Sequence, residues 1–172
     1  MPLAWMKMHD YQKKRVEIFL NPDLDQAGAG YHIAQSKIAI GSGGVFGKGL
    51  GEGTQGHLEF LPESETDFVF AVYAEETGLV GFVILLVLYL CVVGRGLMMA
   101  VRAQDNFARL VISSFVLTFF IYVFINMGMV LGVLPVVGVP LPFMSYGGTS
   151  VVTLFTGFGI VMSLHTHRTV VT

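Results

Sequence analysis

Of 172 residues, 13% are charged and 53% hydrophobic, with a mean hydropathy of +0.69, whereas a water-soluble domain carries about 25% charged residues. A net charge of -2, a pI near 6.2 and the lack of any basic strip interleaved with aromatics exclude a nucleic-acid partner. A single cysteine, Cys91, excludes an internal disulfide and a cysteine metal pair, and reads as a small apolar residue.

The start, MPLAWMKMHDYQKKRV, has neither the long apolar core nor the small-residue cleavage site of a secretory signal. Met1 to Met6 reads instead as the end of a preceding membrane helix. Residues 7–67 are polar, and Gly28 to Gly56 hold ten glycines in 29 residues, which predicts a long loop with a short helical piece at Tyr31 to Ile40. Gly51, Gly53 and Gly56 fit the spacing G-x-G-x-x-G, but no buried strand precedes them, so the dinucleotide fingerprint fails. Lys48 is followed by Gly49 rather than Ser or Thr, so a phosphate loop fails too; its side chain is either solvated or a point charge for an anion.

LPESETDF reads as a helix start, with Pro62 in a first turn and Ser64 spaced three before Asp67. Asp67 is then either a first-turn carboxylate met by backbone N–H groups or a general base. Glu63 and Glu65 crowd it, favouring the protonated acid, while the helix dipole favours the anion. The same cluster suits a divalent cation held through oxygen. Between Lys48 and Arg95 there is no Lys or Arg, yet Glu52, Glu59, Glu63, Glu65, Asp67, Glu75 and Glu76 all fall there.

Three segments have the roughly 20 apolar residues that a bilayer core demands: 68–94, 110–131 and 148–164. Either Glu75 and Glu76 face a wet or paired interior, or the hydrocarbon begins only at Thr77. Asn126 in the second span and Thr149, Thr153 and Thr156 on one face of the third either line a polar cavity or permit close helix packing. His165 and His167 point to different helix faces and make a poor metal pair. Leu110 to Leu164 contain no Asp, Glu, Lys, Arg or His, and prolines and glycines break the run at 132–147, which predicts a re-entering hairpin. Arg95, Arg102 and Arg109 in the connector 95–109 and Arg168 in the tail 165–172 put both on the cytoplasmic side. The loop 7–67 and the hairpin then lie outside. The expected fold is all-α: polytopic transmembrane helices, three complete here, with a long glycine-rich extracytoplasmic loop.

GAGYHIAQSKIAIGSGGVFGKG, LPESETDFVFAVYAEETGLVG and GVLPVVGVPLPFMSYGGTS together resemble the shape, elongation, division and sporulation (SEDS) family of membrane glycosyltransferases, the RodA/FtsW family. GFGIVMSLHTHR is similar to its elongation branch. The resemblance implies a bacterial inner-membrane peptidoglycan glycosyltransferase that polymerises lipid II into glycan strands during elongation. It implies Asp67 as the catalytic base on the acceptor sugar's hydroxyl, and Lys48, Glu63, Ser145 and Tyr146 as substrate-binding residues. A divalent cation, Mg or Mn, on Asp67 and Glu63 is one way to stabilise the diphosphate leaving group; Lys48 is another. Implied partners are a class B penicillin-binding transpeptidase and other elongation-complex proteins. Glu65 departs from the His that many relatives carry there. Family members have more spans, so the chain is expected to be a C-terminal fragment, inactive when isolated. A flippase for the lipid-linked precursor and a non-catalytic scaffold are the rival readings.

Overall fold

The computed structural model describes residues 9–21, 25, 28–53 and 66–166. Met1 to Met6, Glu59, Glu63, Glu65, His167 and Arg168, which carry several of the expectations above, lie outside them. Five helices follow in order: α1 (Asp10–Leu20), α2 (Ala29–Gly43), α3 (Val69–Val101), α4 (Asn106–Val130) and α5 (Gly148–Thr166). No strand occurs among the described residues. Helices α3, α4 and α5 are long and apolar enough to cross a membrane. Leu79, Val83, Ile84, Val87 and Leu88 along α3 are exposed, an arrangement that suits a lipid solvent rather than water.

The helices exceed the expected spans. Helix α3 continues to Val101 and α4 begins at Asn106, so the expected connector 95–109 shrinks to residues 102–105. Arginine is a good helix former, and a helix prolonged past the apolar run keeps its backbone groups bonded near the interface.

The glycine-rich stretch is also more helical than its composition predicts. Helix α2 runs from Ala29 to Gly43, beyond the expected piece at 31–40, although each interior glycine costs about 1 kcal/mol relative to alanine. Tertiary contact offsets that cost. Ile33 and Ala39 are buried, and the fully buried Ser36 hydroxyl donates to Val130 O of α4 at 3.0 Å. At Gly43 the backbone of Ala74 and Glu75 leaves no room for a Cβ.

Helix α3 is broken at Gly78 (φ 66°, ψ -161°), and the turn after α2 fills the break. Lys48 N–H donates to Glu75 O and Gly49 N–H to Glu76 O, both at 3.1 Å. On the other side, Leu79 N–H donates to Gly44 O at 3.0 Å and Val80 N–H to Val45 O at 3.1 Å. Four backbone groups on the two sides of the interruption thus find partners in the turn, the pairing that burial demands. The approach is so close that a Cβ on Gly47 would collide with Glu76 O, and one on Gly78 with Gly47 N.

The main core joins Ala39 of α2, Phe68, Phe70 and Ala71 at the start of α3, and Phe119, Val123 and Met127 of α4. A second cluster, Ala100, Ile112, Val116 and Val161, closes the other end of the bundle. Helix α5 comes near enough to α4 for Gly157 to lie under the Phe115 ring. Between α4 and α5 the chain folds back through the Pro/Gly hairpin, in which Phe143 adopts φ 65°. That backbone is unfavourable for a bulky residue, and ring contacts of 5.7–6.1 Å with Phe119, Phe155 and Phe158 hold it in place.

Candidate functional site

Asp67 sits in the turn that leads into α3 and is half-buried. Its own carbonyl accepts a hydrogen bond from Asn126 Nδ2 at 2.9 Å, and the same amide donates to Val139 O of the hairpin at 2.7 Å. Asn126 is fully buried in α4. One residue earlier, Thr66 O accepts from the Ser145 hydroxyl at 2.6 Å, while Ser145 Oγ accepts Leu141 N–H at 2.6 Å. The turn at 66–68 and the hairpin are therefore tied by two side chains, each holding one backbone group on either side. Gly138 (φ 76°) lies against the carboxylate, for a Cβ there would stand 3.1 Å from Asp67 Oδ2.

Further donors reach the hairpin from other helices. Arg15 Nη1 of α1 donates to Val136 O at 2.8 Å, and the buried Tyr89 hydroxyl of α3 donates to Pro142 O at 2.6 Å. An open groove of about 830 Å³ begins beside this assembly, lined by Val69, Met144, Ser145, Tyr146, Gly147 and residues of α5. A narrower groove of about 400 Å³ runs between α4 and α5 beneath Pro140 and Pro142. Thr149 and Thr153 line it, but the Thr153 hydroxyl donates to Thr149 O and the Thr156 hydroxyl to Val152 O, so both are satisfied within their own helix.

The structure thus brings together Asp67 and Ser145, with Tyr146 at 78% exposure on the rim of the groove. Lys48 lies elsewhere. Its Nζ is 2.6 Å from Glu75 Oε1, and Glu75 is fully buried, which settles the earlier alternatives in favour of a paired interior. Glu63 lies outside the described residues. Among those described, no three His, Cys, Asp or Glu side chains converge on a common point, so of the expected cation ligands Asp67 alone has a place.

Sequence reasoning passed over Asn126 and Gly138 as members of the site. Asn126 had a signal, since it is the lone amide in an apolar span, and a buried amide must find partners. Gly138 had none beyond its position among the prolines.

Fold and site together define a multi-pass α-helical membrane protein that holds one aspartate between a helix start and a re-entering hairpin, in a turn whose neighbours Val69 and Ser145 line a groove. Residues 1–170 match the family model FTSW_RODA_SPOVE, described as "Cell cycle protein", and the chain belongs to that family. It is 61% identical over 168 residues to the peptidoglycan glycosyltransferase MrdB of Escherichia coli strain K12, covering 97% of this chain and 45% of that protein. The peptidoglycan glycosyltransferase RodA of Treponema pallidum is 42% identical over 158 residues, covering 92% of this chain and 36% of the relative. Among solved structures, a chain of a peptidoglycan synthase complex that coordinates polymerization and crosslinking is similar, with a TM-score of 0.75 and 34% identity over 97% of this chain and 45% of that one. A variant of the rod shape determining protein RodA from Thermus thermophilus has a TM-score of 0.62 and 30% identity, covering 90% of this chain and 54% of the other. The chain spans about half the length of the curated relatives it matches.

Proposed function

We propose that this chain supplies the catalytic aspartate and the hairpin of a peptidoglycan glycosyltransferase that polymerises lipid II during cell elongation. The carboxylate of Asp67 takes the proton of the acceptor sugar's 4-hydroxyl. As it does so, that oxygen bonds to the anomeric carbon of the donor sugar, the bond from that carbon to the diphosphate breaks, and the configuration inverts. The lipid diphosphate leaves with the electron pair. A base at the end of a membrane span suits a substrate whose tail lies in lipid and whose sugars lie in water. The observation that carries the reading is the anchoring of residues 66 and 67 by Ser145 and Asn126 beside the open groove, a rigid placement of the kind that proton transfer demands. The names of the relatives support the reaction type.

Tyr146 on the groove rim is proposed to contact the sugars. Mg or Mn on Asp67 and Glu63 would neutralise the diphosphate when bound. The loop side is proposed to be extracytoplasmic and the C-terminus cytoplasmic. A class B penicillin-binding protein is the proposed partner, in keeping with the similarity to a complex that couples polymerization to crosslinking. Asp67→Asn in a full-length protein carrying this sequence should abolish polymerisation of purified lipid II while leaving the protein folded; an undiminished rate would remove the assignment.

The break in α3 favours a second reading, since discontinuous helices are common in transporters. Flipping of lipid-linked precursor has no need of a base at this position. Transport by Asp67→Asn equal to that of the parent, in vesicles where neither protein polymerises, would select that alternative.

A further inference from the structure

The Lys48–Glu75 pair lies outside the assembly around Asp67, and its geometry is specific. Lys48 grips residue 75 twice, through its backbone N–H to Glu75 O at 3.1 Å and through its ammonium to Oε1 at 2.6 Å. The next acidic residue is gripped in the same way: Glu76 O accepts from Gly49 N–H and Glu76 Oε1 from Gly51 N–H, each at 3.1 Å. Consecutive carboxylates and their carbonyls are thus engaged by one glycine turn, at the point where α3 is interrupted. The Glu75 side chain is wholly buried, whereas that of Lys48 is 30% exposed and covers it. A cation there also faces the negative end of the helical segment that runs from Val69 to the break. Asp67 lies eight residues before Glu75, about 12 Å of helix rise, too far for the lysine to act on the reacting atoms through that carboxylate.

We infer that Lys48 is a positioning residue: with Glu75 it latches the glycine turn into the broken helix and so fixes the short helical segment that presents Asp67 at its start. The inference rests on the catalytic reading of Asp67. It differs from the expectation that Lys48 touches the diphosphate, and the two have separate consequences. If Lys48 serves Glu75, the damage done by removing it comes from the carboxylate left buried without its cation, and removing both charges undoes that damage. If Lys48 binds substrate, removing both charges restores nothing.

The test uses full-length protein carrying this sequence, as Lys48→Met, Glu75→Gln, the double variant Lys48→Met/Glu75→Gln, and Asp67→Asn. Each is assayed for thermal stability in detergent and for kcat and KM on purified lipid II. Each single variant at 48 or 75 should melt earlier and lose about tenfold or more in kcat. The double variant should recover the parental melting temperature and come within about threefold of the parental kcat, with KM unchanged. A double variant that regains stability but stays as inactive as Lys48→Met overturns the inference, as does a rise in KM for Lys48→Met without loss of stability. Should a single variant not accumulate, the double decides alone, and its own failure to accumulate also overturns the inference. Asp67→Asn separates the two readings: if it remains active the catalytic assignment fails, while the melting temperatures at 48 and 75 still decide the latch.

Discussion

Two turns hold the helical segment between Asp67 and Gly78, one at each end, and they do so by different chemistry. At the start, the hairpin and α4 use neutral donors, the Asn126 amide and the Ser145 hydroxyl, each shared between two backbone groups. At the far end, the glycine turn uses four backbone hydrogen bonds and an ion pair with one fully buried partner. Losing a neutral donor leaves carbonyls unpaired at about 1–3 kcal/mol, whereas losing one partner of a buried ion pair leaves a charge, which costs more. Among the described residues, the side chains that bond the backbone carbonyls of 66 and 67 are thus neutral, and the Lys48–Glu75 ion pair stands about two helical turns further along.

The contrast is broken most severely at the carboxylate. Asp67→Asn keeps the size of the side chain and removes the base, so polymerisation should fall by about 10²- to 10⁴-fold at unchanged thermal stability, checked by lipid II turnover and a detergent melt. Next comes the interruption of α3. Gly78→Ala forces a Cβ into a left-handed backbone and against Gly47 and Val45, which should destabilise by about 3 kcal/mol, read as a lowered melting temperature. Asn126→Leu leaves Asp67 O and Val139 O without their donor. It should cost about 1–3 kcal/mol and reduce kcat more than KM, because the base is displaced rather than the substrate. Ser145→Ala should cost a similar or smaller amount, and Ser145→Thr should retain more activity than Ser145→Ala. Smallest is Tyr146→Ala: at 78% exposure the change in stability should stay within about 0.5 kcal/mol, and a rise in KM for lipid II would mark Tyr146 as a substrate contact.

The spans were readable because a hydrocarbon solvent demands long apolar runs; Pro62 and Ser64, on which the expected helix start beside Asp67 rested, lie outside the described residues, and the helix itself begins at Val69. The ends of α3 and α4 were not readable. Arg95, Arg102 and Arg109 lie in or next to helical continuations there that hydropathy alone ends too soon. The body of helix α2 was expected at 31–40, but its ends were hidden by glycines, whose local cost is outweighed by the seating of Ile33, Ser36 and Ala39 against the rest of the fold. The pairing of Lys48 with Glu75 bridges 27 residues of sequence, and no periodicity connects them. Asn126 was visible as an oddity, but its two acceptors lie 59 and 13 residues away, a choice that only the folded chain makes.

The hairpin carbonyls of Val136, Val139 and Pro142, spaced every third residue, are each met by a side chain from a different helix: Arg15 of α1, Asn126 of α4 and Tyr89 of α3. Such a segment works like a tie-rod with three anchor points. A tilt of any one of those helices pulls on the same strip of backbone, and through Asn126 and Ser145 the pull arrives at residues 66 and 67. The backbone on either side of one carboxylate is thereby tied, through a single short strip, to three separate helices.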